Sequence, residues 1–275
     1  MKTRQNLHMH STYDDGQDSC ADMLEACQRA GLTSAGISLH SPLPFKTDWT
    51  PDLSVIPGYQ RELDALKRRF GTSFRVLTGI EWDVQSDPSM LNGFDYVIGS
   101  VHYFPVAEVP PSVDNTPQEL ANAVQTYFGG DADAAAECYF HELLKVAEEP
   151  KAAICGHFDL LLKFQEHQPL FDPQSPRYLR AASHALHALI DAGKVFEVNT
   201  GAVSRGWRSE PYPQRTWLKL LAQRGAQVML SSDAHATAHV IASFEEAEAL
   251  LRDCGFDHVV ELGPKGTFIP VSLID

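Results

Sequence analysis

Among the histidines and carboxylates of this chain, nine stand where they could hold metal ions together: His8, His10, Asp15, His40, Glu81, His102, His157, Asp233 and His235. The densest group opens the protein, in the run Leu7-His-Met-His-Ser-Thr-Tyr-Asp-Asp-Gly16. If Leu7 to His10 is extended, the two-residue period of a strand puts both imidazoles on one side, where they can face one ion. Asp15-Gly16 reads as the turn that follows and brings a carboxylate back to the same place. Six imidazoles and three carboxylates exceed what one tetrahedral ion uses, so two or three divalent ions are expected. A nitrogen and oxygen donor set without thiolate suits zinc, iron or manganese.

These residues are spaced by secondary-structure elements. Helical apolar stripes run over Asp22 to Ala30, Gly58 to Phe70, Pro117 to Phe128, Asp133 to Val146, Arg177 to Ala192, Pro213 to Arg224 and Ser243 to Cys254. Short apolar runs between them read as strands: Ser34 to His40, Phe74 to Ile80, Tyr96 to Val101, Ala152 to Gly156, Val195 to Asn199, Val228 to Ser232 and Val259 to Leu262. Strands alternating with helices mean parallel βαβ units, and seven or eight of them favour a closed or nearly closed barrel. An open doubly wound sheet is the alternative, but a Gly-rich dinucleotide fingerprint after the first strand is missing. His8 and His10, His40, Glu81, His102, His157, Asp233 and His235 all fall at or just past predicted strand C-termini. In a parallel barrel those ends share one rim, where the active site lies. One histidine after a strand is an ordinary loop residue; six at successive strand ends are a site. His141, His167, His184, His187, His239 and His258 fall in helices or loops and read as surface or supporting residues.

Composition narrows the class. The 275 residues, 44% hydrophobic, suffice for one barrel domain spanning 1–275, and no internal repeat or linker divides them. The N-terminus lacks a signal peptide pattern and no apolar run reaches about 18 residues, so cytoplasmic residence without membrane contact is expected. Cys20, Cys27, Cys138, Cys155 and Cys254 are odd in number and show no C-x-x-C spacing, which argues against a disulfide framework or zinc ribbon. A formal charge of −14 makes nucleic acid a poor partner, because phosphate backbones need a basic surface.

Several motifs recur in a fixed order: H-x-H-x4-D-G at the start, G-x-E-x-D at Gly79 to Asp83, G-S-V-H at Gly99 to His102, G-H-F-D at Gly156 to Asp159, and S-D-A-H at Ser232 to His235. Together they resemble the polymerase-and-histidinol-phosphatase (PHP) family over nearly the whole chain. E-V-N-T-G-A at Glu197 to Ala202 and P-Y-P at Pro211 to Pro213 look most like its histidinol-phosphatase branch. The resemblance implies a distorted (β/α)7 TIM-like barrel with a trinuclear metal centre at the C-terminal ends of the strands. Carried across, one ion would be held by His8, His10, Glu81 and Asp233. A second would share Glu81 and add His102 and His157, and a third would take Asp15, His40 and His235. Lys163, Arg205, Arg208 and Asn199 are the expected substrate contacts. No catalytic side chain is expected beyond the metal centre, since no Ser-His-Asp elbow, Walker loop or cysteine nucleophile stands out.

Such a centre suits phosphomonoester hydrolysis: bound water is acidified toward a pKa of about 7 and the hydroxide attacks phosphorus in line. The expected activity is L-histidinol-phosphate phosphatase, in histidine biosynthesis, with a small-molecule phosphate ester as partner. A phosphoesterase for another small ester such as a nucleotide, and a non-catalytic metal-binding scaffold, are the alternatives. The loops Ser41 to Pro57 and Tyr103 to Pro117 are expected to flank the pocket.

Overall fold

Ser34 to His40 is buried at every position, and so are Tyr96 to Ser100, Val195 to Asn199 and Val228 to Ser231. Strands covered on both faces read as unbroken apolar runs and belong to parallel sheets wrapped by helices. The computed structural model, which describes residues 1–274, has that architecture. Its strands β1 (Gln5–Asn6), β2 (Ser34–His40), β3 (Arg75–Asp83), β4 (Tyr96–Ser100), β5 (Ile154–Cys155), β6 (Val195–Asn199) and β7 (Val228–Ser231) pair in parallel and in chain order. The last strand returns to the first. Met9 and Ala234 form a parallel bridge, with the His10 amide donating to the Ala234 carbonyl at 2.9 Å. The sheet is therefore a nearly closed barrel, distorted by the two-residue strands β1 and β5. The extended run expected at Leu7 to His10 starts earlier, at β1, and its pairing reaches only to Met9.

The helices are α1 (Cys20–Arg29), α2 (Ile56–Phe70), α3 (Pro117–Phe128), α4 (Ala132–Glu142), α5 (Leu144–Glu148), α6 (Pro176–Asp191), α7 (Gly201–Ser204), α8 (Arg215–Gln223) and α9 (Phe244–Cys254). The single stripe read over Asp133 to Val146 is broken at Leu143 into α4 and α5. Start signals are local: Thr116 caps α3 and Ser175 caps α6, each followed by a proline at the first helical position. Met23 and Leu24 of α1 and Tyr59 and Leu63 of α2 pack with Ile37 and Val76 outside the barrel. A larger outer core gathers Tyr139, Phe140, Tyr178, Leu186 and Trp217.

Leu7, Leu77, Tyr96, Ile98, Ile154, Val195 and Met229 form a separate cluster within the ring of strands. Tyr96 dominates it, its hydroxyl donating to the Leu7 carbonyl at 2.5 Å. The ring needs glycine beside it: a Cβ on Gly79 would lie 2.1 Å from Tyr96 Cζ, and one on Gly36 2.4 Å from its hydroxyl. That close approach explains glycines inside two buried strands.

The run Val259 to Leu262 does not add a unit to the barrel. As β8 (His258–Leu262) it pairs antiparallel with β9 (Phe268–Ser272), a strand not anticipated from sequence. The intervening Gly-Pro-Lys-Gly turn holds Lys265 and Gly266 at positive φ, which sends the chain back on itself. Val260 and Leu262 join the interior cluster from below. The Gln5 side chain receives the Leu262 amide at 2.7 Å and donates to its carbonyl at 3.1 Å, while Arg75 donates to Gly263 O at 2.9 Å. The hairpin thus plugs the N-terminal mouth and leaves the opposite rim for chemistry. All five cysteines are free, with Cys155 fully buried. Among the described residues no helix is long and apolar enough to cross a membrane.

Candidate metal centre

Glu81, buried near the end of β3, is the hub. Its Oε2 lies 3.2 Å from His8 Nε2, 3.6 Å from His10 Nε2 and 3.0 Å from His40 Nδ1. Its Oε1 lies 3.2 Å from His102 Nε2 and 2.9 Å from His157 Nε2. One carboxylate therefore faces two groups of imidazoles. Asp233 Oδ1 sits 3.4 Å from His10 Nε2 and 3.8 Å from His8 Nε2. Asp15 reaches His40 Nε2 at 3.5 Å and His235 Nε2 at 3.3 Å with its two oxygens. All nine expected residues meet on the rim where strand C-termini converge. Their donor atoms fall into three clusters: His8, His10 and Asp233; Glu81, His102 and His157; and His10, Asp15, His40 and His235. His10 stands in two of them, between the stacked rings of His40 and His235.

The loop after His10 is tight. Gly16 N donates to Ser11 O at 3.0 Å, and a Cβ on Gly16 would lie 2.3 Å from Ser11 N, so the Asp-Gly pair is needed to return Asp15 to the rim. Asp233 has a positive φ of 48°, a strained conformation of the kind that collects at functional sites.

The outer nitrogens of three imidazoles are tied down. His8 Nδ1 faces Glu197 Oε1 at 2.5 Å, His10 Nδ1 faces Asp14 Oδ2 at 2.9 Å, and His102 Nδ1 faces Asp83 Oδ2 at 3.0 Å. A carboxylate on Nδ1 places the proton there and turns the Nε2 lone pair inward, the orientation metal-binding histidines require. Consistently, His8 Nε2, His10 Nε2 and Glu81 Oε2 are buried and have no hydrogen-bond partner. Buried polar atoms are otherwise nearly always paired, so three orphans converging on one point fit cations between them. Glu197, Asp83 and Asp14 went unassigned in the sequence reading. Glu197 was visible there as an acid inside an apolar strand, and Asp83 as a carboxylate two residues beyond Glu81, on the same strand face.

Electrostatics agree with a site built for positive charge. Burial alone would push His8 down, but Glu197, Glu81 and Asp233 raise it well above the ordinary imidazole value. Burial acts likewise on His10, where Asp14 leads the opposing terms and lifts it to about 10. Glu81 is held well below the carboxylate range, burial being outweighed by His8, His102 and His40. His40 is lowered, by burial and then by neighbouring His10, since adjacent imidazoles cannot all carry protons.

A cavity of about 190 Å³ opens onto this cluster, with Glu81, His102, His157 and Asp233 on one side. Trp49, Asp114, Asn115 and Lys163 close the other. The two long loops flank it, as expected, and supply Trp49, Asp114 and Asn115, which loop sequence alone did not single out. Lys163 Nζ is anchored on Asp114 at 2.7 Å to the carbonyl and 3.1 Å to Oδ2. Arg205, its side chain 30% exposed, donates to Asp233 Oδ2 at 2.9 Å and to the Asp233 carbonyl at 2.8 Å.

The other two expected substrate contacts point elsewhere. Asn199 is fully buried, donating to Glu197 at 3.0 Å and accepting from Gly201 N at 2.8 Å, so its amide is engaged in holding Glu197. Arg208 lies over the Tyr212 ring at 4.6 Å and donates to Glu210 O. A strand residue's facing cannot be read from an apolar run without alternation, and this explains the Asn199 misplacement.

A family model described as PHP domain matches residues 6–201. The chain belongs to the PHP family. Two PHP relatives match nearly end to end. The Deinococcus radiodurans protein named "Probable histidinol-phosphatase" is 30% identical, over 84% of this chain and 85% of its own. A Schizosaccharomyces pombe protein of the same name is 27% identical, over 91% and 86%. The solved histidinol phosphate phosphatase of Lactococcus lactis, complexed with zinc, L-histidinol and phosphate, superposes with a TM-score of 0.72 at 19% identity. It covers 94% of this chain and 96% of that one, a likeness of fold.

Proposed function

We propose that this protein is a metal-dependent phosphomonoester hydrolase acting on L-histidinol phosphate. The observation that carries it is the inward, unpartnered set of His8 Nε2, His10 Nε2 and Glu81 Oε2, with carboxylates fixing the outer nitrogens. The names of the two near-full-length relatives support the substrate. His8, His10, Glu81 and Asp233 would hold one ion, Glu81, His102 and His157 a second, and Asp15, His40 and His235 a third. Bound divalent ions supply Lewis acidity, which acidifies water and offsets charge on phosphoryl oxygens.

The chain's own groups do the rest. Lys163 and Arg205 are the phosphate contacts: Lys163 as a point charge on the cavity wall, Arg205 as a planar fork already oriented by Asp233. Asp114 holds Lys163 in place and offers its carboxylate to the ammonium of an amino alcohol. Asn199 and Arg208 brace Glu197 and Tyr212 behind the site. Glu197, Asp14 and Asp83 keep three imidazoles in the tautomer that can bind cations. Trp49 roofs the cavity and limits water around the reacting ester. The whole of 1–275 acts as one unit in this reading, since the first segment opens the barrel and the C-terminal hairpin plugs its mouth.

Phosphate release tests the proposal, with L-histidinol phosphate, AMP and an aryl phosphate assayed as isolated and after chelation and metal return. A strong kcat/KM preference for L-histidinol phosphate, lost on chelation and restored by a divalent ion, is expected. Metal-dependent turnover of the other esters with L-histidinol phosphate ignored would refute the substrate. No turnover by metal-loaded protein would refute the enzyme.

A further inference from the structure

The three donor clusters are not equally enclosed. His8, His10 and Asp233 are buried, as are Glu81, His102 and His157. In the third cluster the Asp15 side chain is 31% exposed and that of His235 25%. These two residues also come from loops: Asp15 from the turn after His10, His235 from the segment between β7 and α9. That segment is fixed at both ends. The Ala234 carbonyl accepts the His10 amide at 2.9 Å, and the Val240 carbonyl accepts Asn6 Nδ2 at 2.8 Å. The Asp233 carbonyl lies 3.0 Å from His235 Nδ1; a carbonyl only accepts, so the proton sits there and Nε2 is left to face Asp15. Two further links tie the segment to the Asp15 turn. Gln17 N donates to the His235 carbonyl at 2.7 Å, and Asp18 Oδ2 accepts the Thr237 amide at 2.7 Å. The first link uses backbone atoms alone. The second needs a side-chain acceptor at position 18, whose own carbonyl closes the turn by accepting the Thr12 amide at 3.0 Å.

We infer that Asp18 is a positioning residue for the cation site of His10, Asp15, His40 and His235, and that this outer site is the one whose ion exchanges with solvent. Donors on strands are held more precisely than donors on loops. The separation of Asp15 Oδ2 and His235 Nε2, 3.3 Å, therefore depends on the stitch between their two loops. Water at the two exposed side chains also screens their attraction for a cation, a loss that the enclosed clusters escape. Asp18 acts through the Thr237 amide, by keeping the His235 segment against the Asp15 turn. The enclosed clusters then keep their ions while the outer site follows the free divalent-cation level, which makes turnover responsive to that level. The inference rests on the metal-dependent function proposed above.

The test is zinc titration of the metal-free full chain against a competing chelator, with bound zinc counted by elemental analysis. Wild type is expected to take three equivalents, one of them more weakly than the other two. Asp18→Ala should weaken that equivalent about tenfold, the loss typical of an outer partner, and leave the other two within about twofold. Asp18→Asn keeps an oxygen acceptor for the Thr237 amide and should bind zinc as wild type does. Helix α1 has its own cap in Ser19, whose side chain accepts the Asp22 amide, so it should stand in both variants, as circular dichroism would show. An Asp18→Ala protein that binds all three equivalents as wild type does, weakens all three in parallel, or is matched in its loss by Asp18→Asn would overturn the role of Asp18. Wild type that takes only two equivalents would overturn the outer site. Selective loss of one equivalent in Asp18→Ala, in a protein that does not hydrolyse L-histidinol phosphate, would overturn the substrate proposed above and support this inference.

Discussion

Replacing Glu197 with glutamine changes one atom in a buried carboxylate, yet it should disable the metal centre. Glu197 is 1% exposed and accepts four hydrogen bonds: His8 Nδ1 and Ser231 Oγ on Oε1, His157 N and Asn199 Nδ2 on Oε2. Glutamine has one carbonyl and one NH2 to fill those places. With NH2 toward His157 N and Asn199, donors face donors on both contacts, and the Asn199 amide is already fixed by Gly201. The alternative puts NH2 toward His8 Nδ1, which must then accept. The imidazole proton moves to Nε2, the atom that faces Glu81 and Asp233, and that tautomer cannot coordinate a cation.

Loss of such an outer partner costs about 10–100-fold in metal affinity, or roughly 1.4–2.8 kcal/mol. Competition of Glu197→Gln with a chromogenic chelator for zinc reads that loss directly, and nitrogen NMR of the histidine side chains reads the tautomer. kcat/KM for phosphate release should fall with metal occupancy and recover partly at saturating metal. A variant that binds zinc within twofold of wild type, with His8 still protonated on Nδ1, would refute the reasoning.

Other outcomes follow from the same geometry. Lys163→Ala should raise KM for the phosphate ester about tenfold with little change in metal content. Arg205→Ala should raise KM and also loosen metal, because its guanidinium holds Asp233; metal analysis beside steady-state kinetics separates the two. Metal uptake at pH 7 should release protons, since the metal-free His10 pKa of about 10 leaves that imidazole protonated at neutral pH. Apparent affinity should therefore rise as pH climbs toward that value, measured by calorimetry in buffers of different ionisation enthalpy. Gln5→Ala leaves the Leu262 amide unpaired, while the Leu262 carbonyl keeps Arg75 as a donor, and should cost about 1–3 kcal/mol, lowering Tm by on the order of 3–10 °C in a thermal melt without altering the metal residues.

The barrel was legible in the sequence because its middle strands are buried on both faces. Ser34 to His40 and Val195 to Asn199 stand out as short runs dominated by small and apolar residues and were bounded correctly to the residue. Eight of the nine rim residues were legible because they lie at or just past the ends of such runs, and Asp15 because an Asp-Gly turn follows the first of them. The hairpin strand Phe268–Ser272 was not, because it is mostly half-buried or exposed, contains Pro270 and gains its place from pairing with β8. Trp49, Asp114 and Asn115 lie on loops with no periodicity, so only the folded chain shows that they face the metals. Asn199 was misjudged because a strand's residue types do not reveal which neighbour will claim an amide.

The plug at the barrel's floor also bears on the order in which this protein can be completed. The N-terminal segment that carries His8 and His10 is fastened by residues far along the sequence: Met1 to Glu245, the Lys2 and Thr3 amides to Glu248, the Arg4 amide to Glu261, and Gln5 to Leu262. These contacts span about 245 to 257 positions of sequence, close to the longest the chain allows. Until Glu245 to Leu262 have been made, Met1 to Gln5 lack these partners, although Met9 and His10 already meet Ala234. Long-range closure of this kind is slow relative to local helix formation. Loss of the C-terminal hairpin would thus free Arg4 and Gln5, which lead into the segment carrying His8 and His10.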